Sequence, residues 1–265
     1  MSYRLTILGC GSSGGVPRIG MNWGSCDPAN PKNRRLRCSA LFERMGGAGC
    51  TSVLIDTSPD FREQILAVRL LALDGVLYTH DHADHTHGID DLRMVAFQMK
   101  KRVDVYFDKA TGDSLKLRFA YCFATPAGSP YRPILNGFEF DGVSPLEISG
   151  EGGAITATPI PQTHGDISSL GYRVRDVAYS PDISAIPESS LALLEGLDVW
   201  VVDALRYTPH DSHFSVKQAV HWAERLKPKR TILTHMTSEI DYETLRRELP
   251  AGIEPAYDGM QINFS

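Results

Sequence analysis

Side chains that could bind a metal are concentrated in one ten-residue run, Thr79–Gly88, which holds four histidines and two aspartates. Within it, His80, His82, Asp84 and His85 form an H-x-H-x-D-H pattern. Neutral imidazole and carboxylate are ligands that a borderline cation such as zinc prefers. In an extended segment His80 and His82 point the same way, and a turn must bring Asp84 and His85 round to face them. Two ligands before the turn and two after it predict two metal ions side by side.

Two less specific interpretations of this run are weaker. A solvated, histidine-rich loop needs no defined spacing, but the run directly follows the buried-strand pattern Val76-Leu77-Tyr78, where chance composition rarely places such a motif. A structural zinc site usually closes with four ligands and favours cysteine, and the run contains no cysteine. The pattern therefore favours an open, catalytic metal site.

Other ligand-type residues follow apolar segments that are typical of strands. These segments are Ser52–Ile55 before Asp56, Gly75–Thr79 before His80, Ile155–Ile160 before His164, Asp176–Ser180 before Asp182, Val199–Val202 before Asp203 and Arg230–Thr234 before His235. A rigid sheet edge holds functional groups in place where strands end and loops begin. Because six strand ends carry such residues, we predict that these residues share one edge of the sheets. Asp56 and Asp203 are interpreted either as partners that orient the ligand histidines or as residues with local hydrogen bonds only.

Helical patterns lie between these segments. They run from the capping residue Asp60 to Leu73, from Asp90 to about Lys100, over Glu188–Leu194 and Ser215–Leu226, and from Asp241 to Leu249, before Pro250. Strands and helices in mixed order predict a layered α/β sandwich.

The length, composition and charge of the whole chain limit the class of protein. Its 265 residues, 42% hydrophobic, contain no linker or low-complexity segment, which predicts one domain over 1–265. The net charge of −5 argues against a general nucleic-acid coat, and no segment is apolar enough to span a membrane. The Met1–Cys10 segment alternates like a first strand and lacks the pattern of a signal peptide. Five cysteines, odd in number and without C-x-x-C, predict reduced thiols and a cytoplasmic location.

The run, followed in order by His164, Asp182 and His235 at strand ends, resembles the metallo-β-lactamase superfamily of hydrolases. The resemblance covers nearly the whole chain and implies a four-layer αββα sandwich with a dinuclear site. By position, one metal would be held by His80, His82 and His164, the other by Asp84, His85 and His235, and both by a bridging Asp182. A hydroxide between the metals would be the nucleophile, and Asp84 would also serve catalysis.

Within the superfamily the chain is most similar to the phosphoribosyl cyclic phosphate phosphodiesterases of phosphonate breakdown. The segments that carry this resemblance are Leu8–Pro17, Arg34–Ser39, Leu233–Met236 and Tyr257–Met260. A family histidine proposed as an acid or a substrate contact matches His213. Family members often carry a cysteine cluster for an extra structural zinc, but the matching stretch here holds Cys26 alone, so that zinc is not supported.

Candidate substrate-binding residues follow the first strand. The glycine-rich segment around Ser13 and Gly14 could cradle a phosphate with backbone N–H groups, or could be a tight turn that binds no ligand. Arg34, Arg35 and Arg37 could bind a phosphate in bidentate fashion, or could belong to a solvated basic loop.

The resulting prediction is a dinuclear metal-dependent phosphodiesterase with a small, cyclic or nucleotide-like diester as substrate. Zinc is the expected metal and manganese the alternative; no membrane or stable nucleic-acid partner is expected, and a homodimer is left open. A tRNA 3′-processing nuclease would need a long arm and a basic surface that the sequence lacks. Zinc β-lactamases lack the histidine that His85 supplies. A non-hydrolytic metal-binding or cofactor-biosynthesis protein stays an alternative.

Overall fold

The structure is a computed structural model and describes residues 2–265. Its strands are β1 (Ser2–Gly9), β2 (Ser39–Met45), β3 (Cys50–Ile55), β4 (Gly75–Leu77), β5 (Val103–Asp108), β6 (Leu135–Phe140), β7 (Leu146–Ile148), β8 (Ile155–His164), β9 (Ile167–Val174), β10 (Val177–Ser180), β11 (Val199–Asp203), β12 (Arg230–Thr234), β13 (Ile253–Pro255) and β14 (Met260–Phe264). They form two seven-stranded sheets, with orders β14-β1-β2-β3-β4-β5-β6 and β13-β12-β11-β10-β9-β8-β7.

The helices are α1 (Phe61–Val68), α2 (Ala83–Thr86), α3 (Leu92–Met99), α4 (Lys109–Arg118), α5 (Ala120–Phe123), α6 (Glu188–Leu191), α7 (Val216–Leu226) and α8 (Tyr242–Glu248). Short 3-10 helices cover Pro31–Asn33, Ile89–Asp91 and Ala192–Leu194. Residues group into two compact units: unit 1 contains 2–6, 39–156 and 261–265, and unit 2 contains 7–38 and 157–260.

In unit 1, strands β3 to β6 run parallel, and β2 pairs antiparallel with β3. Parallel strands covered on both faces are continuous apolar runs, and Leu54, Ile55, Val76 and Leu77 are indeed buried. Ile55 pairs with Leu77 at the carboxyl ends of β3 and β4. Asp56 and the residues that follow β4 therefore emerge side by side at one edge of the sheet.

In unit 2, strands β10 to β13 run parallel, and β8, β9 and β10 form an antiparallel series. Asp203 pairs with Thr234 at the carboxyl ends of β11 and β12, which places Asp203 and His235 at the same edge. Helix α7 begins with a capping box, in which the Ser215 and Gln218 side chains each bond the other's backbone N–H.

The predicted strands are all present, but β4 ends at Leu77 before the predicted Thr79, and β8 continues past the predicted Ile160 to His164. The helices differ at their boundaries. Helix α1 was predicted to reach Leu73 but ends at Val68, because Arg69 adopts a left-handed conformation with φ 54° and caps the preceding turn. Likewise, the predicted Asp90–Lys100 helix becomes a 3-10 turn followed by α3, which Lys100 ends at φ 54°. The strands β2, β5, β6, β7, β9, β13 and β14 and the helices α4 and α5 were not predicted. Met1, part of the predicted first strand, lies outside the described residues.

Candidate metal centre

The structure brings the four ligand-type residues of the first motif together in unit 1. His80 and His82 lie on the loop after β4, and the short helix α2 supplies the turn that carries Asp84 and His85. The His80 ring centroid lies 4.5 Å from that of His82 and 4.4 Å from that of His85. The Asp84 Oδ2 atom lies 3.6 Å from His85 Nε2. His80 and His85 are buried, whereas His82 is exposed.

The buried carboxylate of Asp56 organises two of these histidines. Its Oδ2 atom accepts hydrogen bonds from His85 Nδ1 at 2.7 Å and from the Thr79 hydroxyl at 2.8 Å. Because that hydroxyl donates to Asp56, it accepts at 2.9 Å from His80 Nδ1. Both imidazoles therefore carry their proton on Nδ1 and a lone pair on Nε2, which is the state a metal ligand needs. Burial raises the pKa of Asp56, against the opposing effect of its His85 and Thr79 bonds.

Unit 2 holds the other three predicted ligands. His164 ends β8, Asp182 follows β10 and His235 follows β12. His164 Nδ1 donates to the Ser212 carbonyl at 2.6 Å, which again leaves the lone pair on Nε2. The His164 Nε2 atom lies 3.5 Å from Asp182 Oδ2, and the His235 Nε2 atom lies 3.4 Å from Asp182 Oδ1.

These two distances fit a metal site better than direct hydrogen bonds. Two ligands of one tetrahedral zinc ion, each about 2.0–2.1 Å from it, lie roughly 3.4 Å apart. Each oxygen of Asp182 has a different imidazole nitrogen as its neighbour at this separation. The spacing of His164, Asp182 and His235 in unit 2 therefore suits metal binding.

His213 lies in unit 2 beside the ligand histidines. Its ring stacks on His235 with centroids 4.8 Å apart, and its Nδ1 atom lies 2.7 Å from Asp203 Oδ2. Asp203 is fully buried, and this burial raises its pKa well above the usual value. Asp203 thus orients His213, which lies outside the predicted ligand set, and its Oδ1 atom lies 3.8 Å from Nδ1 of the predicted ligand His235. Asp182, His213 and His235 each offer a ligand atom, all within 4.8 Å of one another.

The predicted phosphate loop lies in the same unit. Ser13 and Gly14 are exposed in a turn closed by a 2.8 Å bond from Gly15 N–H to the Ser12 carbonyl. Gly11 packs so closely that an added Cβ would lie 2.9 Å from Arg35 Cβ and 3.0 Å from two carbonyl oxygens. Only glycine fits this approach.

The three predicted arginines differ in their environments. Arg34 is exposed and Arg37 is half-buried. Arg35 is 1% exposed, and its guanidinium donates to the Ile240 carbonyl at 2.8 Å and to the Thr237 carbonyl at 3.1 Å. Arg35 is therefore a structural residue of unit 2, which corrects its predicted role as a phosphate contact.

Cys26 belongs to this interior network. Its thiol donates to the Ile240 carbonyl at 3.1 Å, and Arg35 lies 3.7 Å from its sulfur. Among residues 2–265, none of the candidate metal-ligating groups includes Cys26. All five cysteines are free thiols. Within the same residues, no helix is long and apolar enough to cross a bilayer.

One contact that sequence reasoning missed holds the ligand loop of unit 1. The Ser114 hydroxyl of α4 donates to Asp81 Oδ2 at 2.6 Å, and Arg118 donates to the Asp81 backbone carbonyl. Asp81 lies between His80 and His82, so helix α4 braces the loop that carries both histidines. The ligand motif shows Asp81, but nothing in the sequence pairs it with Ser114.

The solved structures similar to this chain include near and distant relatives. A structure described as a new diphosphatase from the PhnP family is 38% identical, with a TM-score of 0.89, and the match covers 100% of this chain and 98% of that one. Human tRNase Z, short form, is 18% identical with a TM-score of 0.63, and the match covers 98% of both chains. At that identity the likeness shows the fold alone.

A curated relative and a family description extend the comparison. An octanoyltransferase from Porphyromonas gingivalis (strain ATCC BAA-308 / W83) is 30% identical over 262 residues, which are 97% of this chain and 51% of that protein. The chain thus spans about half the length of the curated relative it matches. The beta-lactamase superfamily domain matches residues 51–236, more than half of the chain. The predicted α/β fold class is thereby confirmed, the relatives indicate a hydrolase or a related enzyme, and the protein belongs to the beta-lactamase superfamily.

Proposed function

We propose that the protein is a metal-dependent hydrolase of small phosphate diesters, cyclic ones in particular. The observation that carries the proposal is Asp182, whose two oxygens lie 3.5 and 3.4 Å from the Nε2 atoms of His164 and His235. The likeness to a PhnP-family diphosphatase supports a small phosphate compound as substrate. In this proposal the two units form one hydrolase domain over 1–265.

The metal ligands of this proposal are those that the superfamily resemblance implies. Two divalent ions, zinc or alternatively manganese, would be held by His80, His82, Asp84, His85, His164, Asp182 and His235. Imidazole and carboxylate suit both metals. When bound, the ions would supply Lewis-acid charge and lower the pKa of a water molecule, so that a nucleophile forms at neutral pH.

The chain's own residues would position the substrate and move a proton. Asp203 holds the Nδ1 proton of His213, so His213 Nε2 can carry a second proton to a leaving alkoxide. Asp84, whose carboxylate lies beside His85, would be a catalytic residue as well as a metal ligand. Arg34, Arg37 and the exposed turn of Ser13 and Gly14 would bind a further phosphate group of the substrate.

A second candidate function is hydrolysis of a phosphoanhydride. The diphosphatase description of the 38% identical structure favours it. In that reaction the leaving group is itself a phosphate, whose low basicity makes protonation by His213 less important. The tRNA nuclease alternative has no comparable support, because the tRNase Z likeness extends to the fold alone.

Turnover on a substrate panel tests the proposal. The metal-supplemented protein would be assayed on phosphoribosyl cyclic phosphate, cyclic nucleotides, a nucleoside diphosphate, bis(p-nitrophenyl) phosphate and precursor tRNA. We expect kcat/KM to be highest for a cyclic diester. A preference for the diphosphate would select the second candidate, efficient cleavage of precursor tRNA would select the nuclease, and no turnover on any substrate would select a binding protein.

Arg37→Glu is expected to raise KM more for a cyclic diester with a second phosphate than for the same diester without it. Only the first substrate loses a charge-assisted contact, which is worth roughly 1.5–3 kcal/mol, or about 10- to 100-fold in KM. Arg62→Glu, an exposed charge reversal on α1, is the matched control. Equal changes in KM for both substrates would show that Arg37 does not contact the second phosphate.

Asp56→Asn is expected to weaken metal affinity by about 10- to 100-fold, because two histidines lose the carboxylate that sets their protonation and orientation. Competition with a chromophoric chelator measures this affinity directly. Asp104→Asn, a partly exposed carboxylate on β5, is the control. An Asp56→Asn protein that is folded and binds metal like the wild type would contradict the orienting role.

The free thiols also support the proposed cytoplasmic location. Burial raises the pKa of Cys10 well above its usual value, which keeps this thiol protonated and unreactive.

A homodimer stays a proposal that sedimentation at several concentrations would test.

A further inference from the structure

Unit 1 exposes four large apolar side chains on one surface. Leu66, Leu71, Met94 and Phe97 are between 60% and 66% exposed. They line a groove of about 490 Å³, with α1 and the residues after it on one side and α3 on the other. Single exposed apolar residues are ordinary, but several along one groove are typical of an interaction site.

Helix α3 carries apolar residues on its buried face and on its exposed face. Its Leu92, Val95 and Ala96 are buried, as expected for the inner face of a surface helix. Its outward positions include Met94 and Phe97, where such a helix usually carries polar residues. The apolar side chains on both faces of α3 indicate that its outer face also packs against something.

A basic cavity of about 740 Å³ adjoins this groove, and Phe97 lines both. Its charged lining residues are all cations, namely Arg93, Lys100, Lys101, Arg102 and Arg132, of which Arg93 already pairs with Asp90 at 2.6 Å. Cations after a helix complement its dipole, which accounts for Lys100 and Lys101. The helix dipole does not account for Arg132, which comes from a distant segment. In a chain of net charge −5, this concentration of positive charge points to an anionic partner.

The shape and charge of this surface select one kind of occupant. A groove between two helices accepts a third helix, as in helix-in-groove recognition. A twofold dimer with the basic cavity on its axis would bring like charges together, which opposes that arrangement. An acidic segment with one apolar face satisfies both the groove and the cavity.

We propose that the α1–α3 groove and its basic end bind an acidic amphipathic helix of a partner protein. Apolar side chains of that helix would lie between Leu66 and Met94, and its carboxylates would meet Lys100, Lys101 and Arg132. The eight residues of α3 extend over roughly 12 Å, so the contact covers about two turns of the partner helix. This proposal does not depend on the proposed hydrolytic reaction.

The test uses the full-length protein and a fluorescein-labelled synthetic peptide of about four helical turns, with a leucine stripe and glutamates elsewhere. Fluorescence anisotropy should show binding that weakens as salt is added, and a lysine-for-glutamate peptide should not bind. Met94→Asp, and Lys100→Glu with Lys101→Glu, should each weaken binding by roughly tenfold or more. Leu117→Asp on α4 and Lys217→Glu on α7, both exposed and outside the groove, are the matched controls.

Circular dichroism of each variant keeps loss of binding distinct from loss of folding. Failure of the glutamate peptide to bind, or binding that the groove and control variants weaken equally, would overturn the proposal. Binding to phosphatidylserine vesicles in place of the peptide, lost in Met94→Asp, would assign the face to a membrane. Concentration-dependent self-association lost in Met94→Asp would assign it to a second copy of the chain. Either assignment also overturns the proposal.

Discussion

Asp182→Ala should reduce bound metal from two ions per chain to one or none and remove most of the hydrolase activity. Two cations at close range repel each other, and a shared carboxylate offsets that repulsion. Asp182 is placed for this role, because each of its oxygens lies within 3.5 Å of a different histidine Nε2. Elemental analysis of protein purified without chelator measures the stoichiometry, and turnover on bis(p-nitrophenyl) phosphate measures the activity.

The control for this prediction is Asp198→Ala, which removes a surface carboxylate of unit 2 that pairs with Lys229. That variant should keep the wild-type metal content. The dinuclear proposal fails if the wild-type protein holds a single ion even after metal supplementation. The bridging role of Asp182 fails if the variant keeps both ions.

His213→Ala is expected to keep both metals and to lose on the order of 10²–10⁴ in rate on a diester with an alkoxide leaving group. An alkoxide is a strong base and leaves slowly without a proton, whereas nitrophenolate needs little protonation. The loss should therefore be much smaller on nitrophenyl esters. Steady-state kinetics on one substrate of each kind, together with metal analysis, measure both parts of the prediction.

A histidine elsewhere on unit 2 provides the comparison. His221→Ala, which changes an exposed residue of α7, should change neither substrate's rate. If His213→Ala slows both substrates equally, His213 contacts the phosphate in place of donating a proton. A loss confined to metal content would show instead that His213 is a ligand, as its position beside Asp182 and His235 would permit.

The sheet edges could be predicted because their sequence signals are local. Apolar runs that end at Asp203 or before His235 indicate strands, and parallel strands end at one edge, as the pairing of Asp203 with Thr234 shows. The same reasoning placed Ser215 and Asp241 at helix starts, where both side chains do cap. Helix α1 was overextended because Leu70 and Leu71 continue an apolar pattern that the left-handed Arg69 interrupts.

The contacts that support the site could not be predicted, because they join residues far apart in the chain. The Thr79 hydroxyl links Asp56 to His80 only because β3 and β4 are adjacent and in register. Ser114 reaches Asp81 through a helix that the polar sequence of α4 did not indicate. Arg35 looked like its neighbours Arg34 and Arg37, since burial depends on the tertiary fold and not on residue type.

The buried Arg35 also constrains the order in which the protein can fold during synthesis. Its partner carbonyl at Ile240 lies 205 residues further along the chain. At typical elongation rates of 5–20 residues per second, Arg35 leaves the ribosome roughly 10–40 s before that partner exists. Residues 39–156, which contain most of unit 1, are complete long before then. Residues 7–38 therefore cannot complete their contacts in unit 2 until translation is nearly finished, and chaperones would have their longest opportunity to bind them during that interval.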